Sequence, residues 1–193
     1  MAKAEQSNDS MHVCPWWVAY TFDNKLRRMI DPADKALKQW VRPGMRVLDF
    51  GCGLGHYSIG AAKLVGSEGE VVAVDLQDKM LEIAIKRAGK AGVAGIVTLH
   101  QCTADSIGYP SKVDFVIAGN VIHETPDQRR TLQEIFALLV PGGGFLLTEP
   151  RNHVRADFFE QELKIALEIG FKVDNLPPSF MARKAYLRKP ETH

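Results

Sequence analysis

Cysteine is scarce in this chain, and its spacing is informative. The three cysteines are Cys14, Cys52 and Cys102, and no two of them form a C-x-x-C pair. An odd number without such a pair argues against a disulfide framework and predicts reduced thiols, as in a cytoplasmic protein. His12 and Cys14 have no second pair at zinc-finger spacing, so we expect no metal.

Long apolar runs and an excess of one charge are also missing. No stretch approaches the ~18 apolar residues of a membrane-spanning helix, and the polar N-terminus lacks the apolar core of a signal peptide. The 24 basic and 23 acidic residues give a formal net charge of +1. Nothing therefore draws the whole chain to a nucleic acid or to an anionic membrane, and we expect neither as a partner.

The chain does contain a short apolar strand that ends in an acid and three alternating glycines. This stretch runs from Val47 to Gly55 and reads V-L-D-F-G-C-G-L-G. A helix-forming segment, 56–64, follows directly, so the unit is predicted to be strand, tight turn and helix. Glycine permits positive φ in such a turn and leaves the backbone open to a ligand. The helix N-terminus offers that ligand unpaired N–H groups.

This unit departs from the dinucleotide-binding fingerprint G-x-G-x-x-G. The third glycine, Gly55, comes one position early, and Asp49 stands just before the first glycine, Gly51. We expect the Asp49 carboxylate to face the ligand, where it would repel a pyrophosphate and attract a cation. The stretch resembles the first motif of the class I S-adenosylmethionine (SAM) dependent methyltransferases, in which the turn lies against the amino-acid portion and the sulfonium of the cofactor.

Apolar segments and amphipathic segments alternate over most of the chain. Strands are predicted at 47–50, 70–75, 96–101, 113–119 and 145–149. Helices are predicted at 31–40, 56–64, 78–88, 126–140 and 156–169. Two closing strands, 171–173 and 180–187, can pair antiparallel. The pattern predicts an α/β protein with a Rossmann-like, doubly wound and mostly parallel seven-stranded sheet, an antiparallel strand at its C-terminal end, and helices on both faces.

Polar side chains follow four successive predicted strands: Asp49, Asp75, Asp105 and Asn120. Ligands bind doubly wound sheets outside the carboxyl ends of the strands, so we expect these side chains at one crevice. Asp75 comes 24 positions after Gly51, close to the spacing of roughly 20 at which such folds place an acid on a ribose hydroxyl. For Asp105 the alternative of a solvated loop acid stays open.

The resemblance implies that this crevice binds SAM and releases S-adenosylhomocysteine (SAH). In the family the loop after the third strand meets the adenine, and Ala104 and Asp105 hold the matching positions. The residues expected to contact the cofactor are Asp49, Gly51, Cys52, Gly53, Gly55, Asp75, Leu76, Met80, Ala104, Asp105, Asn120 and Val121.

Methyl transfer from a sulfonium depends mainly on positioning and needs a base only when the acceptor arrives protonated. His123 is the favoured base because it follows the fourth strand and its ordinary pKa suits neutral pH. It could instead cap the strand or bond the next loop. Glu124 and Tyr20 are the next candidates, and the remaining ones are His12, Glu149 and His153.

The segment before the sheet is rich in large apolar residues. Residues 1–40 are predicted to form a helical lid or cap and 41–193 the SAM-binding core of a single domain. The aromatic side chains within 12–30 either select the acceptor or anchor a helix to the sheet, and both roles can coexist.

We expect a SAM-dependent methyltransferase (EC 2.1.1 type) that acts on a small-molecule acceptor by in-line displacement. The segment 120–123, N-V-I-H, lacks the Asn/Asp-Pro-Pro-aromatic signature of amino-directed nucleic-acid methyltransferases. The three cysteines raise arsenite methylation, which the position of Cys52 in the glycine turn disfavours. The alternatives are a non-catalytic SAM-binding protein and, less favoured, an NAD-dependent oxidoreductase. The acceptor and the oligomeric state, monomer or homodimer, stay open.

Overall fold

A computed structural model describes residues 32–175 and 182–191 of the chain. Its centre is a seven-stranded sheet. The strands are β1 (Arg46–Phe50), β2 (Glu70–Asp75), β3 (Val97–Gln101), β4 (Val113–Gly119), β5 (Leu139–Pro150), β6 (Lys172–Asn175) and β7 (Ala182–Arg188). Their order across the sheet is β3-β2-β1-β4-β5-β7-β6. The pairs from β3 to β5 are parallel, and β7 runs antiparallel to both β5 and β6.

Helices cover both faces of this sheet. The helices are α1 (Ala33–Leu37), α2 (His56–Val65), α3 (Asp78–Lys90), α4 (Gln128–Leu138) and α5 (Ala156–Ile169). The first three share one buried apolar cluster with the sheet and the last two share the other. We call these the α1–α3 face and the α4–α5 face. The predicted fold class is confirmed.

Strand β1 shows why both faces are apolar. Val47 packs on the α1–α3 face and Leu48 on the α4–α5 face, because successive residues of a strand point to opposite sides. Both side chains are fully buried, and each contributes about 1.5–3 kcal/mol relative to an exposed one. A strand covered on both sides is therefore a nearly continuous apolar run, which is what the sequence contains.

The fifth strand begins earlier than predicted. α4 ends at Leu138 and β5 starts at Leu139, ahead of the predicted start at 145. The register against β4 shifts within this stretch, so the run 141–144, P-G-G-G, is an irregular part of the strand and does not form a separate turn. Close packing explains part of its composition, since a Cβ on Gly144 would lie 2.7 Å from the Tyr186 hydroxyl.

The other boundaries differ by a few residues. α1 ends at Leu37 where the sequence predicted 40, α3 continues to Lys90, and a short 3-10 turn, Ala94–Ile96, precedes β3. Residues 1–31, which include the aromatic-rich part 12–30 of the predicted lid, lie outside the described residues. Within the described part of the chain, no helix is both long enough and apolar enough to cross a membrane.

Candidate functional site

The glycine turn joins the carboxyl end of β1 to the start of α2. Gly51, Gly53 and Gly55 all have positive φ, at +67°, +52° and +81°, a region that L side chains rarely occupy. A Cβ on Gly51 would lie 2.5 Å from Val121 Cγ2, and one on Gly55 would lie 3.1 Å from Ala84 Cβ. A Cβ on Gly53 would meet no atom within 4 Å. The outer glycines therefore permit close packing, and the middle one presents bare backbone to open space.

Asp75 ends β2 beside this turn. Its side chain is 7% exposed; its Oδ2 accepts a hydrogen bond from the Gly53 N–H and its Oδ1 one from the Gln77 N–H, both at 2.9 Å. Burial raises the pKa of Asp75, although these backbone donors oppose the rise. An ionised carboxylate has about four lone-pair positions, so it can hold the turn and still accept from hydroxyl groups of a ligand.

Asp49 is placed differently from the expectation. Its side chain is 1% exposed, and the Ser58 hydroxyl of α2 donates a hydrogen bond to Asp49 Oδ2 at 2.5 Å. Strand alternation puts Asp49 on the same side of β1 as Val47, against the α1–α3 face. Burial, with a smaller effect of the Asp75 charge, raises the pKa of Asp49 to about 7. The carboxylate is thus buried against α2, and it does not carry a full exposed charge into a crevice.

The end of β4 is strained. Asn120 has φ 59°, the one positive φ of a non-glycine residue among the described residues. Its N–H donates to the Thr148 carbonyl of β5 at 2.7 Å. Asparagine tolerates this conformation better than most residues, and strain of this kind clusters at functional sites. The next residue, Val121, packs against Gly51, so the strained end of β4 lies beside the glycine turn.

The loop after β3 is held by α4. Ala104 is half-buried and Asp105 is exposed. The Glu134 carboxylate of α4 accepts hydrogen bonds from the Ile107 N–H at 2.7 Å and from the Ser106 hydroxyl at 3.1 Å. Sequence reasoning missed this support. These hydrogen bonds fix the position of the loop that carries the two predicted adenine-binding residues.

His123 lies in a 3-10 turn, Ile122–Glu124, just beyond β4. Its ring Nδ1 is 2.5 Å from Glu149 Oε2, and its backbone N–H donates to Glu149 Oε1 at 3.2 Å. The ring Nε2 is 3.8 Å from Glu124 Oε1, and the His153 ring packs edge-on at 5.1 Å between centroids. Burial favours the neutral ring, but the hydrogen bond and charge of Glu149 outweigh it, so the pKa of His123 is raised.

A second buried carboxyl, Glu162 of α5, belongs to the same region and was missed from the sequence. It is 0% exposed, and neither carboxyl oxygen has a hydrogen-bond partner among the described residues. Burial, and then the charge of Glu149, raises its pKa to about 8. The signal was its spacing: Phe159, Glu162 and Ala166 form the buried stripe of α5, three and four residues apart.

A surface cleft opens next to His123, between the start of α4 and one side of α5. Its walls include Thr125, Asp127, Phe158 and Ile165. His123 therefore has a buried side toward Glu149 and a side that borders solvent. In this position the His123 ring can exchange a proton with a molecule bound in the cleft, while its hydrogen bond to Glu149 fixes its orientation.

The structure brings many of the predicted residues together, but not all. The glycine turn, Asp75, Asn120 and Val121 adjoin one another, whereas Asp105 is exposed in the loop after β3. Leu76 is half-buried, and Met80 and Cys52 are buried. Tyr20 lies outside the described residues.

Burial affects the two described thiols. It raises the pKa of Cys52 well above its ordinary value and that of Cys102 to about 11, so both thiols resist ionisation. In the described ranges no group of three or more His, Cys, Asp or Glu side chains is arranged to hold a metal ion.

Sequence comparison identifies the family. A family profile described as "Methyltransferase domain" matches residues 42–183. The chain belongs to the methyltransferase domain family. The predicted family is thereby confirmed, together with the transferase class and SAM as the cofactor that goes with it. The resemblance was based on the sequence V-L-D-F-G-C-G-L-G from Val47 to Gly55, which the structure places at the end of β1 and in the turn before α2.

Curated relatives of this methyltransferase domain match only part of it. The chain is 34% identical over 110 residues to the ubiquinone/menaquinone biosynthesis C-methyltransferase UbiE of Pasteurella multocida, which covers 56% of this chain and 41% of that protein. It is 33% identical over 109 residues to a demethylmenaquinone methyltransferase of Symbiobacterium thermophilum, with 56% and 43% covered. The matches thus span less than half the length of these relatives.

A solved structure agrees over nearly the whole fold. The SAM dependent methyltransferase from Aquifex aeolicus superimposes with a TM-score of 0.79 at 24% sequence identity, covering 90% of this chain and 98% of that one. At this identity the likeness establishes the fold alone.

Proposed function

We propose that this chain is a SAM-dependent methyltransferase that acts on a small-molecule acceptor. One observation carries the proposal: the bare backbone of Gly53 faces open space while the Asp75 carboxylate is fixed beside it. That pairing suits a ligand that brings a ribose and a cationic amino-acid portion to the same crevice. The family assignment and the positions of the other predicted residues support it.

The side chains present fit this cofactor. Gly53 offers its backbone to the amino-acid portion, and Asp75 can accept from the ribose hydroxyls. Ala104 and Asp105 lie in the loop assigned to the adenine, and Asn120 borders the glycine turn. We keep Gly51, Gly55, Leu76, Met80, Val121, Cys52 and Asp49 as predicted members of the site, the last two as buried support beneath the turn.

Bound SAM would supply a methyl group on a positively charged sulfur. The chain's own contribution is to position the acceptor and, where the acceptor is protonated, to remove its proton. We assign the Nδ1 proton of His123 to the hydrogen bond with Glu149, which leaves Nε2 as the proton-accepting atom. Because the pKa of His123 is raised, this base becomes available only as the pH rises through that raised value.

The acceptor class follows from the base and from the relatives. One named relative is a C-methyltransferase of ubiquinone/menaquinone biosynthesis, and the other is a demethylmenaquinone methyltransferase. Methylation of a ring carbon is assisted when a nearby hydroxyl group loses its proton. We therefore propose a small hydroxyaromatic or enolic acceptor. Glu124 is a secondary candidate for contact with it, at 3.8 Å from His123 Nε2. The N-terminal segment 1–40 is proposed as a lid, with Tyr20 as a candidate residue in it.

Turnover assays test this proposal. Purified protein is incubated with SAM and, one at a time, with dihydroxybenzenes, hydroxyquinones, amines and thiols, and SAH is quantified by mass spectrometry. We expect SAH formation with a hydroxyaromatic acceptor and its loss in His123→Gln. SAH binding without turnover on any acceptor would indicate a non-catalytic SAM-binding protein. Binding of a nicotinamide dinucleotide in place of SAH would indicate an oxidoreductase.

A further inference from the structure

The buried carboxyl of Glu162 needs an explanation that stability does not supply. A carboxyl group without hydrogen-bond partners in an apolar interior is destabilising, so an apolar residue of similar size would be the more stable choice. Glu162 is 0% exposed and both of its oxygens lack partners among the described residues. Its neighbours on the stripe, Phe159 and Ala166, are apolar core residues. Unsatisfied buried groups of this kind are frequent at functional sites.

Glu162 lies in the region of Glu149 of β5, the partner of His123. Phe158 and Ile165, four residues before and three after Glu162 on the same side of α5, line the cleft beside His123. The charge of Glu149 acts on Glu162. Glu149 is also 0% exposed, and both of its oxygens are used, one by the His123 ring and one by the His123 backbone N–H. Two carboxyl groups that share a buried region do not both ionise readily, and the one with the better partners keeps the charge. Here that is Glu149, because it accepts both hydrogen bonds from His123, whereas Glu162 accepts none from the described residues.

We propose that Glu162 is a positioning residue that acts through Glu149: it is the neutral member of a buried carboxyl pair and leaves the negative charge of the pair on the Glu149 carboxylate that orients His123. This inference rests on the proposed function of His123. A pKa of about 8 for Glu162, raised by burial and by Glu149, agrees with the assignment.

The charged groups on the surrounding elements leave the assignment unchanged. Arg183 of β7 stands opposite Glu149 in the antiparallel register, but its Nε donates to the Val154 carbonyl at 3.2 Å. From α4, Arg129 is engaged with the exposed Glu168 of α5. The 3-10 turn contributes His123, which is bonded to Glu149, and Glu124, whose Oε1 is 3.8 Å from His123 Nε2. Among the described residues, none of these side chains bonds to the Glu162 carboxyl group.

The proposal predicts a coupled titration. Below about pH 8 Glu162 is neutral, and above it a second negative charge enters the region and displaces the His123 titration. We would follow the His123 ring nitrogens by NMR from pH 5 to 10 in the wild-type protein, in Glu162→Gln and in the control Glu160→Gln, which removes an exposed carboxylate from the same helix. We expect two steps in the wild type and in the control, and one step in Glu162→Gln.

Each outcome decides the matter. Curves that superimpose for wild type and Glu162→Gln would overturn the proposal. Should Glu162→Gln fail to fold, the ¹³C carboxyl resonance of Glu162 in the wild-type protein replaces it, and an ionised carboxylate at pH 6 would overturn the proposal while a protonated one supports it. Calorimetry with SAH on the same wild-type sample separates failure of the proposed function from failure of the proposed role of Glu162. Absence of SAH binding counts against the proposed function, whereas the titration reports on Glu162 alone.

Discussion

Replacing Glu162 by glutamine should change how the stability of the fold depends on pH. Glutamine is close in shape to glutamate and carries no charge, so it keeps the packing of α5 on the sheet. In the wild type, burial and the charge of Glu149 raise the pKa of Glu162 from its ordinary 4.5 to about 8. The folded protein therefore retains a proton that the unfolded chain releases.

The sign of the effect follows from that retained proton. Between pH 4.5 and pH 8 the folded state binds more protons at this site than the unfolded state, so rising pH lowers the free energy of unfolding. A rise from 4.5 to about 8 corresponds to at most ~5 kcal/mol, and about 2–4 kcal/mol of it falls between pH 5 and pH 8. Glu162→Gln has no titrating group at this position. Its free energy of unfolding minus that of the wild type should therefore increase by about 2–4 kcal/mol from pH 5 to pH 8.

The assay is urea denaturation at pH 5, 6, 7 and 8, followed by far-ultraviolet circular dichroism. Asp49, whose pKa is about 7, contributes a loss of the same sign, but it is present in both proteins and cancels in the difference. Glu160→Gln serves as the control for removing a surface charge. A difference between wild type and Glu162→Gln that stays constant from pH 5 to pH 8 would refute the reasoning.

Three further predictions concern ligand binding and turnover. Asp75→Ala should weaken SAH binding by about 1–3 kcal/mol, measured by calorimetry, because the ribose hydroxyls lose their acceptor. Gly53→Ala should abolish SAH binding yet cost the fold only about 1–2 kcal/mol of backbone strain, because its new Cβ enters open space at φ +52°; thermal unfolding and calorimetry check the two effects. His123→Gln should lower kcat about 10²–10⁴-fold with SAH binding retained, as for a lost general base.

Matched variants make these outcomes decisive. Gly92 also has positive φ, +74°, and a Cβ added there would meet no atom within 4 Å, so Gly92→Ala should show the same strain with normal SAH binding. Asp78→Asn changes an exposed acid three residues after Asp75 and should leave affinity unchanged. If Gly53→Ala binds SAH normally, or if Asp75→Ala loses no affinity, the cofactor lies elsewhere.

The sequence predicted the sheet because the signals for it are local. Val47 and Leu48 are both apolar and lie on opposite sides of β1, as a strand covered on both faces requires. The glycines that follow end the strand. β5 was misplaced because its P-G-G-G run has the composition of a turn, whereas contacts with Phe115 and Tyr186 hold it within the strand. Those contacts come from residues distant in the sequence.

The site was less visible in the sequence for the same reason. The burial of Asp49 depends on the hydroxyl of Ser58 and on the helices above it, and the partner of His123 is Glu149, 26 residues away. Glu162 could be recognised by its place on the apolar stripe of α5. The role that we propose for it, through Glu149, depends on the packing of α5 beside His123, which only the folded chain shows.

SAM binding requires the glycine turn and Asp75 to form one crevice for a sulfonium nucleoside. Isothermal titration of the folded protein with SAH, with NADH titrated in parallel, tests this most directly. We predict one SAH bound per chain, weakened in Asp75→Ala, and no heat from NADH. Binding of NADH, or no binding of SAH by folded protein, would contradict the central claim.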